Sequence, residues 1–167
     1  MLTTTEPQHV SPIVDTNGDF DAWRAESKPR WGAPLERFRR KMQRDYDATM
    51  TIVEPPEDLG AELAEGLRVE ASGWKGEAGT AILCDPAIHA FYREMTRAFH
   101  ARGAVRFSRI ALDGRTAAFD LCLLDRNRLY LLKTAFDEDL RKLAPGLVLR
   151  LSTIERCFEL GLDAHEL

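Results

Sequence analysis

"VRFSRIALDGRTAAFDLCLLDRNRLYLLKTAF", residues Val105–Phe136, is the stretch on which the fold turns. Asp113-Gly114 stands between two runs of strand-forming residues. Asp-Gly there is a strong hairpin signal, because a two-residue type I′ turn needs positive φ at both central positions. A second turn falls at "DRN", 125–127, and a third run follows. The spacing predicts an antiparallel meander over residues 105–136. In its middle strand Ala117, Phe119, Leu121 and Leu123 share one face. Asp120 lies on the other face among apolar residues. An unpaired buried carboxylate is costly, so Asp120 needs either a partner, most commonly a structural salt bridge, or an open cleft.

Towards the C-terminus, "KTAFDEDLRKLAPGLVLRLSTIERCFELG", residues 133–161, crosses a charged turn and reaches Pro145-Gly146. Proline favours the first position of a helix. Leu147, Leu151, Ile154 and Phe158 then mark a helical stripe that Gly161 ends. Two readings stand side by side. Pro145-Gly146 is an ordinary helix start, or it is an anion site, since a helix start leaves N–H groups unpaired at the positive end of the dipole. In the second reading Gly146 lets the backbone approach the ligand, Leu147 and Val148 supply N–H groups, and Arg141 and Lys142 add charge. "LDAHEL", 162–167, reads as the beginning of a strand. A strand–helix–strand crossover makes it parallel to its neighbour in the sheet.

Towards the N-terminus, "CDPAIHAFYREMTRAFHARG", 84–103, is the clearest helix. Asp85 caps it, Pro86 opens it and Gly103 ends it. Ile88, Phe91, Tyr92, Met95, Ala98 and Phe99 are its expected core stripe. Upstream, a helix begins at Glu57-Asp58, with Leu59, Leu63, Leu67, Ala71 and Trp74 as buried stripe and Glu70 at the edge. Gly73, Gly76 and Gly79 break it, forming either a loop able to approach a ligand or a plain connection. "TMTIVEPP", 49–56, is a strand stopped by prolines. From Pro34, Leu35, Phe38, Met42 and Tyr46 repeat at helical spacing among Arg37, Arg39, Arg40, Lys41 and Arg44, a basic amphipathic helix. Its charged face binds phosphate or acidic lipid, or is simply solvated. Asp19 caps a short helix, and residues 1–18 read as an arm or linker. The domain division expected is 1–48, arm and basic helix, and 49–167, the main domain.

The chain has 167 residues, 44% apolar and 30% charged, with a formal net charge of −4. That supports one core and gives no global reason to bind nucleic acid. Cys84, Cys122 and Cys157 are far apart with no CxxC pair, so neither a metal site nor a disulfide framework is expected, and buried reduced thiols suit a cytoplasmic protein. No run of about 18 apolar residues is present, so no transmembrane segment is expected. The element order gives an α+β fold with a mostly antiparallel sheet and one parallel step at the C-terminal end.

"RVEASGWKGEAGTAI" (68–82), "LDGRTAAFDLCL" (112–123), "LYLLKTAFDEDLRKLAPGLVL" (129–149) and "GLDAHEL" (161–167) together resemble the GNAT-like acetyltransferases of the BioF-like and CelD-like type, relatives of the FemAB peptidoglycan aminoacyltransferases. The resemblance covers residues 11–167 and is carried by Glu70, Trp74-Lys75-Gly76, Lys133, Asp137 and Pro145-Gly146. Departures are Leu140, where an aromatic often stands, and the absence of a first GNAT half and of the closing strands, which makes the chain look truncated. The resemblance implies an incomplete GNAT fold, with 49–167 as a partial acyltransferase domain. It implies an N-acyltransferase that moves an acyl group from acyl-CoA, such as acetyl-CoA, to an amine on a small molecule or envelope precursor. The cofactor's pyrophosphate would lie at Pro145, Gly146, Leu147 and Val148, near Arg141 and Lys142. Glu70 and Asp120 are candidates to take the amine's proton. Trp74, Lys75, Lys133 and Asp137 are candidates for the acceptor side, with Lys133 expected on the face of Leu129 and Leu131. The implied partner is a second GNAT half or another copy of the chain, and the alternative is a non-catalytic, degenerate GNAT half that acts as an interaction domain.

Overall fold

A computed structural model describes residues 11–27 and 32–167; the expectation of an arm over residues 1–10 lies outside them. The elements are β1 (Ile13–Asp15), α1 (Phe20–Glu26), α2 (Ala33–Asp45), β2 (Ala48–Glu54), α3 (Leu59–Ala71), α4 (Trp74–Glu77), α5 (Pro86–His100), β3 (Val105–Leu112), β4 (Arg115–Asp125), β5 (Arg128–Phe136), α6 (Pro145–Glu159) and β6 (Ala164–Glu166), with 3-10 turns at Ile82–Cys84 and Glu138–Leu143.

The meander forms as expected. Asp113 and Gly114 have φ of 51° and 77°, and Arg126 and Asn127 have φ of 45° and 60°, so both connections are tight turns with two left-handed residues. The six strands run in the order β1-β6-β5-β4-β3-β2. Only the β5–β6 pair is parallel, joined by the crossover through α6.

Alternation on β4 sends its residues to two different cores. Phe119, Leu121 and Leu123 meet Leu63 and Leu67 of α3, together with Tyr92 and Phe99 of α5. Ala118 packs with Leu35 and Met42 of α2 and Val148, Leu149 and Leu151 of α6, and Ala117 joins that core instead of the expected face of Phe119, because the register with β3 slips by one residue there. Cys122 joins Leu129, Cys157 and Leu162 on that same side. The sheet is therefore a middle layer, with α3 and α5 on one face and α6, backed by α2, on the other. Each fully buried Leu in these layers contributes roughly 1.5–3 kcal/mol.

Several expectations need correction. The only buried residue of α5 is Thr96, while Ile88 is 45% and Phe91 62% exposed. Only the row Tyr92–Thr96–Phe99 turns inward, because α5 lies against α3 and its preceding turn rather than flat on the sheet. Trp74 does not extend the stripe of α3. It starts the separate turn α4 and is 60% exposed. Cys84 is exposed, whereas Cys122 and Cys157 are buried. Leu147 is exposed on α6, and α6 is buried on two sides instead of one stripe. Residues 13–15 of the expected arm form β1 and pair with β6. Leu35 and Met42 share one core with β3, β4 and α6, so no break in packing marks residue 48.

Candidate active site

Along β5, β6 reaches only Arg128, Leu129 and Tyr130. Among the described residues, Leu131–Phe136 of β5 therefore has no strand on that side, and its backbone edge is open. Two clefts flank this open half. One, on the α3 face, has a volume of ≈ 170 Å³ and is lined by Val69, Glu70, Gly73, Trp74, Lys75, Thr134, Ala135, Phe136 and Glu138. The other, on the α6 face, has a volume of ≈ 470 Å³ and includes Leu131, Thr134, Phe136, Arg141, Gly146 and Arg150 in its walls. Thr134 and Phe136 belong to both, so the clefts meet across the open edge.

A bulge in β5 decides what faces which cleft. Leu121 of β4 stands opposite Lys133, but the next residue, Cys122, stands opposite Leu131. Leu121 and Cys122 point to opposite faces, and so do Lys133 and Leu131. Lys133 is thus on the α3 face, not on the face of Leu129 and Leu131 as the plain period-2 reading expects. One extra residue flips the side chain across the sheet.

Lys133 there reaches Glu70, with Nζ 2.9 Å from Oε1. Lys75 Nζ lies 3.5 Å from the same oxygen, and the Ile82 N–H donates to Oε2 at 3.0 Å. Glu70 is 4% exposed. Burial pushes its pKa up, but Lys133, the Ile82 N–H and Lys75 outweigh burial and hold the carboxyl below its ordinary value. It is ionised at neutral pH and a weak base, and it fixes two ammonium groups beside the cleft. Trp74 forms the outer wall, with Lys75 over its ring at 5.9 Å. Two glycines of this loop, Gly73 and Gly76, serve close packing, whereas Gly79 takes a left-handed φ of 69° in open space. A Cβ on Gly76 would lie 1.8 Å from the Ala71 carbonyl oxygen, and one on Gly73 2.7 Å from Glu138 Oε1.

Asp120 is on the opposite face, 1% exposed, beneath Arg150 of α6. Both its oxygens lie 3.4 Å from Arg150 Nη2. Burial pushes its pKa up against the pull of Arg150 and Thr134. The structure does not bring Glu70 and Asp120 together, because the sheet separates them. Arg150 also approaches His165 of β6, Nη1 to Nε2 at 3.2 Å, and His165 Nδ1 lies 3.0 Å from the Leu129 carbonyl oxygen. Guanidinium only donates, so His165 Nε2 accepts and its Nδ1–H donates to Leu129.

At the start of α6 the geometry differs from the expectation. The N–H groups of Leu147 and Val148 donate to the Ala144 carbonyl at 3.0 and 3.1 Å. Val148 is buried, and Leu147 offers the cleft its side chain. With no N–H on Pro145, the Gly146 N–H is the group at this end without an intrahelical acceptor. Arg141 stands on the same cleft wall, whereas Lys142 is exposed outside it. Asp137 lines neither cleft. It is buried in an ion pair with Arg115 and caps the following turn at the Asp139 N–H.

Arg150 and His165 escaped the sequence reading. The signal was there for Arg150, which falls at helical spacing between Leu147 and Leu151 on an apolar face. His165 had none, since three residues do not establish a strand's facing.

The site is thus built on an α+β domain with an opened strand edge, a helix start beyond the end of that strand and clefts on both faces. The chain matches the model of the acetyltransferase (GNAT) domain family over residues 33–167. It belongs to that family. No curated protein matches the chain. Among solved structures it resembles FemX, with a TM-score of 0.64 and 12% identity over 94% of this chain and 52% of that one. It also resembles the C-terminal domain (DUF2156) of a putative lysylphosphatidylglycerol synthetase from Agrobacterium fabrum, at TM-score 0.59 and 16% identity over 94% and 44%. L-PGS from Bacillus licheniformis gives TM-score 0.56 and 17% identity over 94% and 43%. These likenesses show the fold, and the chain spans about half the length of each neighbour. Among the described residues no helix is long and apolar enough to cross a membrane and no metal-binding cluster is present.

Proposed function

We propose that the chain is an N-acyltransferase domain that moves an acyl group from acyl-CoA to an amine. The observation that supports this most directly is the meeting of the two clefts at Thr134 and Phe136, across the open edge of β5. Donor and acceptor could lie on opposite faces and touch at that edge, as a direct transfer requires. The donor takes the larger, apolar α6-side cleft. Its phosphate groups lie at the Gly146 N–H, at the positive end of the α6 dipole, with Arg141 alongside. The acceptor takes the α3-side cleft, between Trp74, Lys75 and the Glu70–Lys133 pair. Lys75 and Lys133 there are balanced by Glu70 and Glu138, so the cleft carries no net charge and suits the amine of an envelope precursor or another small cytoplasmic molecule.

Titration calorimetry with acetyl-CoA tests the donor half of this reading, and mass spectrometry after incubation with acetyl-CoA and a panel of primary amines tests the transfer. Gly146→Val should weaken acetyl-CoA binding at least about tenfold by blocking the approach to the N–H. Equal binding by the variant, or no binding by the parent chain, rejects the reading.

The exposed Ile88 and Phe91 of α5 favour a second reading, in which the chain is a degenerate half that pairs with another GNAT half or a second copy. Equilibrium sedimentation of the chain and of Phe91→Ser separates the two: a dimer that Phe91→Ser dissolves, with no acetyl-CoA bound, supports pairing alone.

A further inference from the structure

The floor of the α6-side cleft holds a charged group that the reading above leaves idle. Arg150 is 8% exposed and still forms part of the cleft wall. Of its five N–H donors, one is used by His165 and one by the Asp120 carboxylate. The other three have no acceptor among the described residues. Of the cleft wall around it, Leu131, Phe136, Leu147 and Leu167 offer no side-chain oxygen, and the Thr134 hydroxyl is engaged with Asp120. Both Nη atoms have a partner and no Arg150 nitrogen is buried without one, so its spare donors face the cleft, where a ligand oxygen can take them.

The cross-strand register fixes the height of that guanidinium along β5. It bridges His165, which stands beside Leu129, and Asp120, which stands beside Thr134. The Gly146 end lies against Phe136, whose ring is 3.5 Å from a Cβ built there. About four strand residues separate the two levels, roughly 13 Å at ~3.3 Å per residue. An extended acyl-bearing arm anchored by its phosphate at Gly146 therefore brings its carbonyl end to Arg150. With Asp120 ionised, the Arg150–Asp120 pair carries no net charge. It suits an oxygen that is a neutral carbonyl in the bound donor and becomes negative only during transfer.

We propose that Arg150 is a catalytic residue of the cleft, its guanidinium donating to the carbonyl oxygen of the acyl thioester and holding the oxyanion formed on attack. This rests on the acyltransferase reading. The amine lone pair forms the C–N bond while the C=O π pair moves onto oxygen, where Arg150 receives it. As the C=O bond re-forms, the C–S bond breaks and its electron pair leaves with the thiolate. The ammonium proton passes to water in the open cleft. Asp120 and His165 are positioning residues that keep the guanidinium fork turned into the cleft.

The test compares CoA, acetyl-CoA and carboxymethyl-CoA, whose carboxylate lies one carbon beyond the acetyl carbonyl and presents a negative oxygen to the same end of the cleft, by titration calorimetry on the parent chain and Arg150→Met. The parent should bind carboxymethyl-CoA about tenfold more tightly than CoA, and Arg150→Met should lose that preference while binding CoA itself within about twofold of the parent. A purely structural Arg150 would weaken all three ligands together or none, and either result overturns the proposal, as does a parent with no preference. If Arg150→Met does not fold, the same comparison with Arg150→Gln, whose amide can still bond to Asp120 and His165, decides. A parent chain that binds none of the three rejects the acyl-CoA reading and the proposal with it. A parent that binds CoA and shows no role for Arg150 rejects the proposal alone.

Discussion

Lys133 Nζ lies 2.9 Å from Glu70 Oε1, tying the open half of β5 to the C-terminal turn of α3 across the wall of the α3-side cleft. The carboxylate is buried, and Lys75 and the Ile82 N–H hold it as well. Glu70→Gln leaves the two ammonium groups without their counter-ion, and a loss of about 1–3 kcal/mol in chemical denaturation is expected. Lys133→Met on the Glu70→Gln background should cost less than on the parent, a coupling that a double-mutant cycle reads directly. Because the pKa of Glu70 is lowered in the fold, its contribution is present above its unfolded value of 4.5. It fades as pH falls through the lower folded value.

The His165 ring gives the opposite kind of titration. Burial lowers its pKa from 6.5 to about 4, with Arg150 acting in the same direction against the Leu129 bond. The unfolded chain thus binds a proton that the fold resists, and stability should fall as pH drops from 6.5 towards 4. At ~1.4 kcal/mol per unit the loss from this group is about 3 kcal/mol. The raised pKa of nearby Asp120 offsets part of it. Denaturation midpoints across that window should show a slope that His165→Gln flattens; an unchanged slope means that the ring is not the titrating group.

Gly66 is where α3 meets the sheet most closely. A Cβ there would lie 2.1 Å from the Phe119 ring, which is itself packed against Phe107 at a centroid distance of 5.4 Å. Gly66→Ala gains roughly 1 kcal/mol of helix propensity, yet the ring has no room to swing. A net destabilisation of about 1–3 kcal/mol is expected. A more stable variant would mean that the helix can lift without loss.

Ala144, at the mouth of α6, has φ 50° and ψ 46° and lines the α6-side cleft. A left-handed conformation costs a non-glycine residue roughly 1–2 kcal/mol. Ala144→Gly should relieve part of that strain, less the greater unfolded-state entropy of glycine, and raise stability by up to ~1 kcal/mol. Thermal unfolding checks this, and a lower melting temperature would show that the backbone is not strained there.

The sequence by itself determined the local elements. Asp113-Gly114 set a hairpin, because few other pairs tolerate two positive φ values. Asp85-Pro86 and Pro145 set helix starts, and the apolar periods named the helices and strands between them. The parallel placement of β6 also followed, since a crossover of that kind leaves little choice of hand or side. The residues around Glu70, Trp74 and Pro145-Gly146 were legible through their family likeness.

What only the tertiary structure decided was which way those elements face and what covers them. A single bulge opposite Leu121 and Cys122 puts Lys133 on the α3 face, where it meets Glu70, and no composition or period announces one extra residue in a strand. The apolar stripe of α5 was visible, but its cover was not: only the row through Tyr92, Thr96 and Phe99 finds a neighbour. Asp120 needed a partner on any reading. That the partner is Arg150, thirty residues on and shared with His165, depends on three strands and a helix closing around one point. Local preference acts within a few residues, whereas a buried charge is satisfied by whatever the packed chain brings to it.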